Sequence, residues 1–165
     1  MATNTEIKND GKYYFAYGRN MDTSVLRKRW NGDGEIINEI IGSRNRGVLS
    51  NHKLVFNKKA ATKNVVYANI EVSENDTVEG ILYYFKTDTF IECLDCHEGY
   101  PNHYNRKTLP IQKNDNTMVN AIVYIANPDY VVNGLKPEAE YICNLLAARD
   151  LLSAEYVGKL EKYKL

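Results

Sequence analysis

Glu98 is placed where a carboxyl group should gain affinity for its proton. Thr87 to His97 carries Phe90, Ile91 and Leu94 at helical spacing; Gly99 suits a helix C-cap and Pro101 prevents continuation. Glu98 therefore ends a helix, where the dipole is negative and disfavours a carboxylate. Asp95 lies three residues back on the same face and adds like charge. Tyr100 and Tyr104 are neighbours able to strip water from the carboxyl. A carboxyl raised toward neutrality can both take and return a proton. The alternative is a solvated residue in a helix-ending turn, and placement alone leaves both readings open.

A second stretch, Tyr13-Tyr14-Phe15-Ala16-Tyr17-Gly18-Arg19-Asn20-Met21, is an aromatic strand that breaks at a glycine and leads toward a charged helix. Strand, tight loop and helix start together aim backbone N–H groups at an anion. Arg27-Lys28-Arg29 is the one concentrated basic run; on a helix its three side chains point in different directions, as on a solvated face.

Cys93-Leu94-Asp95-Cys96-His97 has the spacing of a covalent haem attachment site. That chemistry needs export and oxidative assembly, and the sequence favours two small buried cysteines on a short helix. Cys143, His52 and His103 supply no second ligand pair at a standard zinc spacing, so no metal site is expected. His97 adjoins Cys96, but helix neighbours face apart, which argues against a cysteine nucleophile.

The elements that must position these groups follow from an ordinary globular composition. The chain has 165 residues, 44% hydrophobic and 25% charged, enough for one core and one domain over 12–165. Lys plus Arg equals Asp plus Glu at 21 each, so no global basic field draws the chain to nucleic acid or an anionic membrane. Residues 1–11 read as a disordered polar tail without a signal-peptide core, and no apolar run nears the roughly 20 residues of a membrane helix. A cytoplasmic location with reduced cysteines is expected, and the oligomeric state is open between monomer and homodimer.

Lys12 to Tyr17 is predicted as a strand, followed by a helix to about Trp30 capped by Asp22 or Thr23. Glu35 to Ile41 is expected to be extended. Gly47 to Leu49, His52 to Asn57, Val65 to Val72 and Thr77 to Phe85 are read as strands, the last two joined by a hairpin at Glu74-Asn75-Asp76. Tyr104 to Gln112 and Met118 to Ile125 form another pair across Asn114-Asp115-Asn116. Two helices close the chain, one from about Pro137 through Tyr141, Leu145, Ala148 and Leu152, the next capped by Ser153. The expected fold class is α+β, a small mixed barrel-like sheet with flanking helices.

Taken in order, Tyr14 to Met21, then Leu94-Asp95-Cys96-His97-Glu98-Gly99-Tyr100-Pro101 with Tyr104 and Arg106, resemble the gamma-glutamyl cyclotransferase-like family. Val55 to Lys59 and Glu79 to Tyr83 are similar to its middle strands; Gly134-Leu135-Lys136-Pro137, Tyr141 and Glu155-Tyr156 are similar to its ending. The resemblance implies a cavity lined by the segment after the first strand, with Glu98 as general acid/base. It also implies substrate contacts at Tyr14, Phe15, Ala16, Tyr17, Gly18, Arg19, Asn20 and Tyr141, with Tyr104 as a secondary candidate. The implied reaction turns a small gamma-glutamyl amide into 5-oxoproline and a free amine or amino acid, with no metal or organic cofactor. A non-catalytic binding member, or an amidotransferase or amide hydrolase on the same fold, are the alternatives. One departure stands out: the family's loop reads Tyr-Gly-Ser-Asn, and Arg19 occupies the serine position.

Overall fold

A computed structural model describes residues 11–165; the expected tail lies outside the described residues apart from Gly11. Five strands close into a barrel in the order β1-β3-β2-β4-β5. β1 (Lys12–Ala16) lies antiparallel to β3 (Val66–Phe85) and parallel to β5 (Met118–Ala126), which makes the sheet mixed. β2 (Asn45–Lys59) runs along β3, and β4 (Tyr104–Lys113) pairs with β5 from Tyr104↔Ala126 to Gln112↔Met118. The core inside is strongly aromatic: Phe15, Tyr83, Phe85 and Phe90 are almost wholly buried, with Phe85 and Phe90 ring centroids 5.1 Å apart.

α1 (Thr23–Arg29) starts as the sequence suggests, with Asp22 accepting from the Ser24 N–H. α3 (Asp88–Glu98) is capped by Thr87, whose side chain accepts from the Thr89 N–H, and ends at Gly99 with φ 63°. A residue with a Cβ would be strained in that left-handed conformation. α5 (Ala154–Glu161) is capped by Ser153, and Tyr156 and Leu160 face inward.

Three expectations are corrected. Residues 35–41 are not extended but form α2 (Gly34–Gly42). The isoleucines suit a strand, yet Asp33 accepts from the N–H groups of Glu35 and Ile36, and Ile37 and Ile40 recur at helical spacing on the buried face. The hairpin at Glu74-Asn75-Asp76 is absent: β3 continues through it, and β2 is likewise one strand. Between the pairs Ser50↔Thr77 and His52↔Val72 the register advances two residues in β2 and five in β3. The surplus is taken up by a bulge in which Asn51 (φ 58°) and Asn75 (φ 67°) adopt positive φ and the Asn75 N–H donates to Asn51 Oδ1. A turn-like composition thus marks a bend within paired strands. Lastly, the helix begun near Pro137 is shorter: α4 is Ala139–Leu146. The chain then turns so that Ala148 and Leu152 are still buried and Ser153 reaches Glu79.

Glu79 fastens that ending to the barrel. It accepts from the Ser153 N–H (2.8 Å) and hydroxyl and from Arg46 Nε (2.9 Å). Among the described residues no helix is long and apolar enough to cross a membrane.

Candidate active site

A cavity of about 470 Å³ opens between the segment leaving β1, the ends of β2 and β3, and the C-terminal end of α3. After β1 the chain makes a 3-10 turn at Arg19–Met21, closed by Met21 N–H to Gly18 O and Asp22 N–H to Arg19 O, both 3.0 Å. The first N–H groups of such a turn have no partner within it. Gly18 passes close to the wall: a Cβ there would sit 3.0 Å from the Tyr141 hydroxyl, tighter than ordinary contact.

Glu98, the last residue of α3, lines this cavity with its side chain only 18% exposed. Burial raises its pKa above the ordinary carboxyl value, while Arg29, then Lys58, then Arg19 pull it part of the way back. Arg29 Nη1 stands 3.8 Å from Glu98 Oε1, too far for a hydrogen bond, and is instead bonded to Asn20 Oδ1 at 2.9 Å. Glu98 is thus surrounded by cations without being tied to one. Asp95 does not supply the pressure expected of it. It faces another way, accepting from Arg106 Nη1 (2.9 Å) and the Tyr124 hydroxyl (2.7 Å). Tyr100 likewise lies under the Arg106 guanidinium, 4.3 Å from ring centroid to Cζ.

The phenols around Glu98 are held in place and stay protonated. Burial above all, with the charge of Glu98 adding, holds Tyr14, Tyr17, Tyr104 and Tyr141 far above the usual tyrosine range, so they keep their protons. Tyr14 Oη accepts from Asn20 Nδ2 at 3.1 Å, and Tyr83 Oη donates to the Asn20 carbonyl at 2.7 Å. Tyr17 donates to the Tyr124 carbonyl. Tyr141 Oη accepts from the Ala68 N–H and Tyr104 Oη donates to the Ala68 carbonyl, both at 2.9 Å. One residue of β3 therefore sets the height of two cavity phenols.

Of the residues singled out from sequence, Tyr14, Phe15, Tyr17, Gly18, Arg19, Asn20, Glu98, Tyr104 and Tyr141 all line the cavity. Ala16 does not; it is buried in the wall, paired with Ile81. The Arg19 guanidinium lies over the rings of Tyr67 (5.3 Å) and Tyr141 (5.1 Å). Arg27 and Lys28 are solvated as expected, but Arg29 turns inward, against the reading of that run as a solvated face. The available signal was its spacing: Arg29 follows the buried Leu26 by three residues. Lys58 gave no such signal. The register shift between Phe56 and Lys58 buries both Asn57 and Lys58, which simple alternation does not forecast. Lys58 Nζ sits 2.9 Å from His103 Nδ1, and burial lowers its pKa, with Glu98 opposing. Tyr67 and Tyr124 also join the lining unforeseen.

The cysteines of the Cys93-Cys96-His97 run are free, and Cys96 is exposed rather than buried. Cys93 Sγ and His97 Nε2 both reach the Arg29 carbonyl, at 3.2 and 3.1 Å, and so hold the end of α1 against α3. Among the described residues no three His, Cys, Asp or Glu side chains converge as metal ligands would.

The profile of the family described as gamma-glutamyl cyclotransferase, AIG2-like, matches residues 14–142, and the chain belongs to that family. No curated protein matches the sequence at a significant level. Among solved structures, one named gamma-glutamyl cyclotransferase is 21% identical with a TM-score of 0.74, covering 92% of this chain and 86% of its own. An uncharacterised protein from Homo sapiens is 22% identical with a TM-score of 0.74, over 92% and 87%. YkqA from Bacillus subtilis is 20% identical with a TM-score of 0.77, over 93% of this chain and 54% of the longer protein. The barrel with flanking helices is the fold of these structures, and the family supports a cyclotransferase-like function.

Proposed function

We propose that the protein cleaves small gamma-glutamyl amides by cyclisation, releasing 5-oxoproline and a free amine or amino acid, with Glu98 as the single general acid/base. The observation that carries this reading is a carboxyl largely withdrawn from water, 3.8 Å from Arg29, lining the same cavity as the turn after β1 together with phenols and cations; burial there raises its pKa.

The substrate's own α-amine is the nucleophile and its γ-carbonyl the electrophile. As the new C–N bond forms, Glu98 takes the amine proton; as the old amide C–N bond breaks, Glu98 gives a proton to the leaving nitrogen. No water is consumed. Both reacting groups belong to one molecule, so holding the folded conformer supplies much of the rate; well-oriented intramolecular reactions reach effective molarities of roughly 10⁵–10⁸ M. The α-carboxylate fits the N–H groups at Gly18 to Asn20, with Arg29 behind them through Asn20. Tyr104 and Tyr141 keep their protons and are pinned by Ala68, so they shape the pocket and are not bases.

The test is incubation with gamma-glutamyl amino acids and gamma-glutamyl alkylamines, assaying 5-oxoproline for wild type and Glu98→Gln in parallel. Loss of about 10²–10⁴ in rate on Glu98→Gln is expected for removal of a general acid/base. Undiminished lactam from Glu98→Gln overturns the role of Glu98. Glutamate in place of lactam shows a hydrolase, and binding without product a non-catalytic member.

A further inference from the structure

α1 ends at Arg29, so the Arg29 carbonyl is among the last of the helix and has no partner inside it. Water or a glycine turn commonly satisfies such a group. Here another helix does. Cys93 and His97 lie four residues apart, hence on one face of α3, and both reach that single oxygen, Cys93 Sγ at 3.2 Å and His97 Nε2 at 3.1 Å. A carbonyl only accepts, so the thiol and the Nε2–H are the donors, and both lone pairs of the oxygen are engaged. The Trp30 ring packs beside them against Phe90 of α3, with centroids 6.2 Å apart.

The side chain of the same residue turns into the cavity. Arg29 Nη1 donates to Asn20 Oδ1 at 2.9 Å and stands 3.8 Å from Glu98 Oε1. Arg29 is thus held twice, its backbone by α3 and its guanidinium by Asn20. The spacing from Glu98 matters. At a hydrogen-bond distance of about 2.9 Å the guanidinium would tie up the carboxylate, and farther away it would leave burial unopposed. Two more cations face Glu98, Lys58 from β2 and Arg19 from the turn, and the protonated phenols Tyr14, Tyr17, Tyr104, Tyr124 and Tyr141 surround it. Of the three cations Arg29 has the largest influence.

Resting on the cyclisation reading above, we propose that Cys93 and His97 are positioning residues for proton transfer at Glu98. By gripping the Arg29 carbonyl they hold its guanidinium at a distance that attracts the carboxylate without pairing it. α3 therefore carries both the carboxyl that moves the proton and the clamp that places its principal counter-charge. The cysteine–histidine run, which reads as a ligand motif in the sequence, is a fastening between two helices.

The experiment follows kcat/KM for gamma-glutamyl-alanine against pH in wild type, Cys93→Ala, His97→Ala and the double variant. Without the clamp the end of α1 is free to draw away from α3. The acidic limb of the double variant is therefore expected to move to higher pH, by no more than in Arg29→Met. Cys93→Ser and His97→Gln each keep a donor and are expected to hold the limb close to wild type. In the Arg29→Met background the double change is expected to move it no further. Carbon NMR titration of the glutamate carboxyls, with the Glu98 signal identified by its loss in Glu98→Gln, reads the same shift without turnover. If wild type forms no lactam, the cyclisation reading fails, and the titration still decides this one. An unmoved Glu98 titration in the double variant overturns the proposal even where stability falls, as does an equal shift on top of Arg29→Met.

Discussion

Among the described residues two glutamates are withdrawn from water, and their surroundings give them opposite characters. Burial alone would raise the pKa of Glu79, but the hydroxyl and N–H of Ser153 and the Arg46 guanidinium bring it below the ordinary value. Glu98 is likewise withdrawn from water, with three cations nearby, yet its contact with Arg29 is 3.8 Å long and burial wins. A carboxylate whose oxygens are filled by short hydrogen bonds is a fastener. One left with charge nearby and no bond is able to exchange a proton. Direct hydrogen bonding to the charged form, more than burial, separates the two.

The sharpest way to break this contrast is to exchange each carboxyl for its amide. Glu98→Gln is expected to cost about 10²–10⁴ in turnover while the fold persists. Glu79→Gln is expected to leave turnover near wild type and to lower unfolding free energy by about 1–3 kcal/mol, read by denaturant titration. The pH dependences have opposite signs. A lowered folded pKa means that the stabilisation from Glu79 is present above its ordinary value and lost as pH falls through the folded value. The raised pKa of Glu98 means that wild type loses stability relative to Glu98→Gln as pH rises from the ordinary carboxyl value through the folded one. Parallel curves for the two variants would erase the distinction.

Arg29→Met sharpens it further. Removing the largest of the cationic influences lets burial act more fully, so the acidic limb of the kcat/KM profile is expected to move to higher pH. An unmoved limb would show that Arg29 serves Asn20 alone. Gly18→Ala is the mildest probe. The added methyl would meet the Tyr141 hydroxyl at 3.0 Å, so a shift of a few tenths of an ångström and a loss of about tenfold or less in kcat/KM are expected.

The difference between the two glutamates also marks how far the sequence can be read. The helix end at Glu98 was legible because α3 is bounded by local chemistry, Thr87 at one end and Gly99 at the other. The turn at Gly18 was legible for the same reason. Asp95, three residues from Glu98, defeated the same reasoning, because its partners Arg106 and Tyr124 come from β4 and β5. Lys58 and Tyr67 belong to strands whose facing depends on a register shift, and α2 depends on which isoleucines find the core. Local signals locate ends and turns; which side chains meet inside a closed barrel is settled by pairing between distant segments.

The hydroxyls of Tyr104 and Tyr141 have a consequence outside chemistry. Where β3 runs past Ala68, β2 pairs with it on one side, and β1 joins the other side only from Ile81 onward. A buried backbone N–H or carbonyl left without a partner is costly. The N–H and the carbonyl of Ala68 on that other side are both taken by phenols, Tyr141 and Tyr104. Tyr104→Phe or Tyr141→Phe would leave one backbone group of Ala68 unpaired in a buried wall, so each is expected to cost about 1–3 kcal/mol of stability besides any effect on the pocket.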